Sequence, residues 1–342
     1  MQIPSTDPKV IIILGRTASG KSRLAVELAL TLGSVIISAD AFQVYKDFSV
    51  ASDKILDDEM RGVPHFGIDI VPASDPFTVK HFLDLAIPIV ENELAAGRSP
   101  IIVGGTHMYI EKLLFTSRLD QDDPVGDITD SSIISSPDCE YTHSALSAID
   151  PVIADRIHPN DSRRISRAID YFYSTGTRLS DVLSTQHREL RWRNLAVICK
   201  TTSDSNPLAD RIRQRVMTKM VETGTLRLEL ERIKLFIDLG TLHWNKGLLQ
   251  AIGYREFQSF TERMHEPDAS ELFNQAVEQV IRNTVKYSKQ QQKWITRLNK
   301  TLNIHFVDDS FETPAIVSLI NSSCNVLKFN TGVPQWSRDT PS

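Results

Sequence analysis

The chain has 342 residues, 41% of them hydrophobic and 24% charged, with 38 Lys+Arg against 43 Asp+Glu for a net charge of −5. At roughly 100–200 residues per domain this suits one large domain or two modest ones, and it excludes collagen-like, coiled-coil and wholly disordered classes. The early apolar run at 9–14 (KVIIIL) is too short for a membrane span or a signal sequence, and three distant cysteines (Cys139, Cys199, Cys324) make neither a disulfide framework nor a paired metal site. A cytoplasmic location without a membrane partner is expected, mitochondrial or nuclear pools being left open. In chain order, apolar runs at 10–14, 35–38 and 101–103 read as buried parallel strands, with helices at 21–32 and 79–96 between them. Residues 118–138 are acidic, Ser/Asp-rich and broken by prolines, and read as a loop excursion. A basic helical stretch follows from Ser144 to about Leu190, with a turn at His158-Pro159-Asn160-Asp161. A returning strand at 195–199, helices at 207–239 and 269–299, a final strand at 304–308 and a short helix at 313–322 complete the pattern.

The charge is split along the chain. Residues 1–150 carry 11 basic against 22 acidic side chains, or −11, whereas residues 151–300 carry 25 against 17, or +8. A basic half can hold a polyanion whatever the total, because the local field governs encounter. A solvated helical surface fits the same count.

Gly15-Arg16-Thr17-Ala18-Ser19-Gly20-Lys21-Ser22 matches GxxxxGK[ST], after a strand and opening a helix. In that context backbone N–H groups converge on phosphate oxygens, Lys21 neutralises a terminal phosphate and Ser22 reaches a Mg2+ ion. The strand at 101–103 runs into Gly104-Gly105-Thr106 and supplies no acid to orient Mg2+ and water, as a nucleotide hydrolase would need. Asp40 is the acid at a strand end. A carboxylate there suits accepting a proton from a nucleophile attacking an atom bonded to phosphate; a helix-capping role is the plain alternative. His158 reads as part of a turn before a capped helix, and His65 and His107 show no metal-ligand spacing.

Thr17–Ser22, SADAFQVY (38–45), VPHF (63–66), DPFTVKHF (75–82) and IIVGGTHMYI (101–110) are followed by RIHPNDSRRISRAIDYFYSTG (156–176), RIRQRV (211–216), LLQAIGYREF (248–257) and KYSKQQQKW (286–294). In this order, over roughly residues 8–308, they resemble the tRNA dimethylallyltransferase family. The resemblance implies an α/β fold: a P-loop NTPase-like parallel sheet flanked by helices (1–117 and 194–310), with an inserted helical domain for tRNA binding (118–193) and a C-terminal tail (311–342). It implies transfer of a dimethylallyl group from dimethylallyl diphosphate to N6 of adenine, usually adenosine 37 of a tRNA anticodon loop. Asp40 is then the general base, with Thr17 beside the reacting carbon. Lys21, Ser22 with Mg2+, and Arg215 stabilise the departing diphosphate, held by Gly15, Thr17, Ala18, Ser19, Gly20, Lys21, Ser22, Ser52 and Lys54. Asp40, Ala41, Phe42, Gln43 and Thr106 line the channel for an extruded adenine, while Arg163, Arg164 and Arg167 contact tRNA phosphates. Tyr254 and Arg255 stand where they support the site or simply pack a helix start.

Several residues depart from the family pattern. Arg16 replaces a usual proline and is expected on the loop exterior with little effect. His107 stands where glycine is common, and Ser288-Lys289-Gln290-Gln291 replaces Ala-Lys-Arg-Gln, losing one phosphate contact. No paired Cys and His ligands for a zinc finger follow residue 300. An adenylate dimethylallyltransferase acting on free AMP, ADP or ATP shares the loop, Asp40 and the Gly-Gly-Thr strand, but largely lacks the HPND–RRISR insertion. A small-molecule kinase and a non-catalytic binding protein are the remaining readings. A monomer is expected.

Overall fold

The structure is a computed structural model, and it describes residues 7–116, 140–185, 189–202 and 207–323. The expected loop excursion at 118–138 lies outside the described residues. In chain order, β1 (Val10–Gly15), α1 (Lys21–Leu32), β2 (Ile36–Ser38), α2 (Asp57–Met60), β3 (His65–Phe66), α3 (Val79–Ala95), β4 (Ile101–Val103) and α4 (His107–Leu114) come first. They are followed by β5 (Phe115–Thr116), α5 (His143–Ile149), α6 (Pro151–Ala154), α7 (Ser162–Thr175), α8 (Leu179–Thr185) and β6 (Glu189–Leu190). The remainder is β7 (Leu195–Lys200), α9 (Leu208–Val216), α10 (Thr225–Asp238), α11 (Gln258–Glu262), α12 (Ala269–Thr301), β8 (Ile304–Val307) and α13 (Thr313–Ser322).

The described residues form two compact units, one of 7–113 with 192–323, the other between 114 and 191. The first is built on a six-stranded parallel sheet of order β3-β2-β4-β1-β7-β8. All six residues of β1 are buried, as an apolar strand paired on both edges and covered on both faces requires. Ile11 and Ile13 turn to one face and pack with Leu24, Ala25 and Leu28 of α1 and Ile316 of α13. Lys9 ties α13 down by donating its ammonium to the carbonyls of Asn321 (2.9 Å) and Ser323 (2.6 Å). The chain leaves β1 for β2 on one side and reaches β7 on the other, with β4 inserted between β2 and β1. The strand order therefore reverses beside β1, and a crevice opens outside the C-terminal strand ends.

The region read as one helix from 207 to 239 is broken. A π-helical turn at Met217–Val221 is followed by Gly224 at φ 70°, a left-handed conformation that ends one helix and starts the next at Thr225. A second core joins α9, α10 and α12 to Val44, Tyr45 and Phe48.

In the second unit, the basic stretch divides into four helices around a small core of Leu146, Ile153, Ile165 and Ile169. The His158–Asp161 segment is the expected turn: His158 Nδ1 accepts from the Asn160 N–H (3.2 Å), and Asp161 caps α7 by accepting from the Arg164 N–H (3.2 Å).

Candidate active site

The ends of β1, β2 and β4 bring three loops together. Between β1 and α1, Ala18 (φ 62°) and Gly20 (φ 78°) are left-handed, which folds residues 15–20 into a cradle at the helix N-terminus. After β4, a Cβ on Gly104 would stand 2.1 Å from the Ala39 carbonyl oxygen, so only glycine lets the β4 loop lie against the segment carrying Asp40. After β2, Asp40 Oδ1 accepts from the Phe42 N–H (3.0 Å), which orients the carboxylate and leaves Oδ2 on the side of Gly105. No helix follows Asp40, so the helix-capping alternative is not realised: one oxygen holds a turn and the other faces the Gly105 side.

These loops line a cavity of about 310 Å3 that includes Thr17, Lys21, Asp40, Thr106 and Arg215. A second cavity of about 610 Å3, lined by Ala18–Arg23 and Arg61, shares Lys21, Ser22, Asp53, Ile55, Arg215 and Lys219 with it. The shared residues mark a junction: Asp40 and Thr106 line one cavity and the loop residues Ala18, Ser19 and Gly20 line the other. Burial and the charge of Arg215 pull Lys21 down to about 8, against the opposing pull of Asp40. Burial also lowers Arg215, again with Asp40 pulling it up. The three groups therefore share one electrostatic environment.

The remaining expected residues are placed as follows. Ala41 N–H donates to Thr106 Oγ1 (3.0 Å), fixing the two loops to each other. Phe42 is half-buried and packs on the second core. Gln43 lines the cavity, but its amide is occupied by Ser38 Oγ (3.1 Å) and the Asp53 carbonyl (3.1 Å). Ser52 lines the cavity while its hydroxyl donates to the Phe48 carbonyl (3.0 Å). Lys54 lines the phosphate-side cavity, yet its buried ammonium is held by Asp69 and the Tyr45 carbonyl, which turns it from an expected diphosphate ligand into a loop anchor. Ser19 is buried with an unpartnered hydroxyl. Tyr254 is fully buried, and the exposed Arg255 pairs with the buried side chain of Glu256.

The family model described as IPP transferase matches residues 43–298. The chain belongs to the IPP transferase family. The tRNA dimethylallyltransferase of Bacillus mycoides (strain KBAB4) is 33% identical over 327 residues, 94% of this chain and 98% of the relative. The enzyme of that name from Bacillus subtilis (strain 168) is 34% identical over 85% of this chain and 88% of its own length. Among solved structures, a eukaryotic dimethylallyltransferase acting on tRNA superposes with a TM-score of 0.74 at 27% identity, covering 88% of this chain and 74% of that one. The tRNA delta(2)-isopentenylpyrophosphate transferase of Staphylococcus epidermidis gives 0.59 at 27%, covering 92% and 97%. Such coverage means that most of the chain, not one module, is shared, and the resemblance carried by the ordered motifs is borne out.

In this IPP transferase the long helix α12 supplies site residues that the motif reading missed. Gln291 Oε1 accepts from the Thr17 N–H (2.8 Å) and the Thr17 hydroxyl (3.2 Å), while its Nε2 donates to the Gly105 carbonyl (3.0 Å). The Tyr287 hydroxyl donates to the same carbonyl (2.9 Å); burial and the Asp40 charge push Tyr287 up to about 12, so it stays a donor. Arg16, expected to be idle on the loop exterior, is half-buried and donates to the buried Ser288 hydroxyl (3.0 Å). Loop and helix are thereby stitched together across the sequence. A signal was present: positions 277, 281, 284, 288, 291, 295 and 298 form one buried or half-buried helix stripe, and three in its middle are Thr284, Ser288 and Gln291.

His107 lies under this assembly. Neither ring nitrogen makes a well-formed hydrogen bond. Burial and the Lys21 charge hold the ring at about 4, the backbone at Gln291 and Gly15 pulling less strongly the other way. Among the described residues no group of three His, Cys, Asp or Glu side chains is placed to hold a metal. The Ser22 hydroxyl lines both cavities and makes no hydrogen bond among the described residues, which fits a hard cation held mainly by water and phosphate oxygens. Arg163, Arg164 and Arg167 are exposed on α7 of the second unit.

Proposed function

We propose that this IPP transferase moves a dimethylallyl group from dimethylallyl diphosphate to N6 of an adenine in tRNA, adenosine 37 of an anticodon loop being the expected acceptor, and releases diphosphate. The observation that carries the chemistry is the free Asp40 oxygen on the same cavity as Lys21, Arg215 and Thr17. The relatives, named tRNA dimethylallyltransferases, support tRNA as the acceptor. So do the arginines of α7, whose planar guanidinium groups suit phosphate oxygens.

An exocyclic amine is a weak nucleophile, so the site must supply alignment and a proton acceptor. Asp40 accepts the proton from N6 as the N6–C1 bond forms and the C1–O bond to diphosphate breaks. Charge building on the leaving oxygens is met by Lys21, Arg215 and the N–H groups of Ala18, Gly20, Lys21 and Ser22, preorganised at the start of α1. Thr17 presents its hydroxyl oxygen beside the reacting carbon, its orientation set by Gln291. Ser22 is the protein ligand that would hold a Mg2+ ion, whose chemistry when bound is to neutralise diphosphate charge. The adenine must leave its stack to reach the cavity, which encloses it and excludes water. No described helix is long and apolar enough to cross a membrane.

Asp40→Asn tests this assignment. Transfer to tRNA should fall by about a hundred- to ten-thousandfold, with inorganic diphosphate binding within a fewfold of wild type. Near-normal transfer by the variant removes Asp40 as the base.

A further inference from the structure

Asp53 is a carboxylate placed at an anion site. It lines both cavities beside Lys21 and Ser22, and its two oxygens face the guanidinium of Arg215 and the ammonium of Lys219, the latter at 3.4 Å. The Asp53 side chain is 35% exposed and that of Arg215 28%, so the pair opens to the cavity rather than being sealed in a core.

The surrounding frame places this carboxylate. Asp53 is left-handed at φ 48°, a conformation that side-chain-bearing residues seldom adopt, so neighbours must impose it. Its N–H donates to the Val50 carbonyl (3.3 Å), and its own carbonyl accepts from Gln43 Nε2 (3.1 Å). The start of the turn is gripped by buried Glu229, which accepts from the Ser49 and Val50 N–H groups (2.8 and 3.1 Å) and from the Tyr254 hydroxyl (2.6 Å). Tyr254 thus acts on the site through a loop, in a role that its motif alone left open.

A carboxylate and a diphosphate cannot both hold the same two cations, because like charges repel strongly where water is partly excluded. We infer that Asp53 is an internal competitor for the diphosphate site. It neutralises Arg215 and Lys219 in the free enzyme, yields them to the diphosphate of the substrate, and takes them back as product diphosphate leaves. Asp53 is accordingly a positioning residue acting through Arg215 and Lys219, and the inference rests on the diphosphate reading proposed above. Its consequence is a diphosphate affinity held below what the cation set alone would give, which favours turnover over product retention.

Calorimetry with inorganic diphosphate, alongside transfer kinetics, tests it on wild type, Asp53→Asn, Asp53→Ala and Asp53→Asn combined with Lys219→Met. Both Asp53 variants should bind diphosphate about 2- to 5-fold more tightly, by the usual worth of a half-exposed ion pair. KM for dimethylallyl diphosphate and the product-inhibition constant should fall by a similar factor. Lys219→Met should erase part of the gain, since the two residues are coupled. If wild type binds diphosphate and both Asp53 variants bind it equally or more weakly, the inference is overturned and the diphosphate reading stands. If wild type binds none, both are overturned.

Discussion

Replacing Gln291 with methionine removes one amide at nearly constant length, and three contacts set the consequences. Thr17 loses the acceptor for its N–H (2.8 Å) and for its hydroxyl (3.2 Å), while the Gly105 carbonyl keeps Tyr287 as donor. Gln291 is only 2% exposed, so water does not readily replace the lost partner. A stranded buried N–H costs about 1–3 kcal/mol and a lost neutral hydrogen bond about 1 kcal/mol, together about 2–4 kcal/mol. For a unit of this size that lowers the melting temperature by roughly 5–12 °C. Catalysis should suffer separately. A reacting group misplaced by about 1 Å loses up to about a hundredfold, so kcat should fall by about 10- to 100-fold. Lys21 and Arg215 are untouched, and KM for dimethylallyl diphosphate should stay within about threefold. Transfer kinetics with labelled dimethylallyl diphosphate and thermal melts by circular dichroism read both effects. A variant that melts early yet keeps kcat within twofold of wild type would refute the claim that Gln291 orients Thr17.

Three further outcomes follow from the site. Lys21 is held at about 8 in the free enzyme, and a bound diphosphate raises it; affinity for diphosphate should therefore decline as pH rises above about 8, with proton uptake on binding there, and a flat affinity from pH 7 to 9.5 by calorimetry in two buffers refutes it. His107 is depressed to about 4 from an ordinary 6.5, so its unfolded form binds a proton first: its stability contribution is intact above pH 6.5 and is lost as pH falls towards 4, by about 3 kcal/mol in all. His107→Leu should flatten that acid limb of urea-midpoint measurements, and an unchanged limb removes His107 as its source. Substituting Arg163, Arg164 and Arg167 together should weaken tRNA binding, reduce its salt slope by up to about three and leave diphosphate binding alone; an unchanged slope in filter binding excludes them from phosphate contact.

The parts of this site legible in the sequence are those whose meaning is local. Residues 15–22 declare a phosphate cradle because strand, glycines and lysine occur within eight positions, and an all-apolar strand such as β1 announces its burial. Asp40 is legible as the acid that ends a short apolar run. Pairings set only by the fold were not legible. Thr17 and Gln291 stand 274 positions apart, and nothing near either one names the other, although polar residues on a buried stripe of α12 marked that something unusual was packed there. Lys54 is expected as a diphosphate ligand only through the family resemblance, and its capture by Asp69, fifteen positions on, is set by the fold. Arg16 looked idle because its partner, Ser288, comes from the same distant helix. Breaks within helical regions escaped for another reason: Gly224 and the π-turn before it interrupt a continuous amphipathic pattern that periodicity alone extends unbroken.

The most direct test is transfer of labelled dimethylallyl groups by the purified protein with Mg2+, offered unmodified tRNA and a mixture of AMP, ADP and ATP in separate reactions. Label should appear in tRNA, on N6 of an adenosine beside the anticodon, with one diphosphate released per group transferred. Label confined to free nucleotide, or ATP turnover without prenyl transfer, would contradict it.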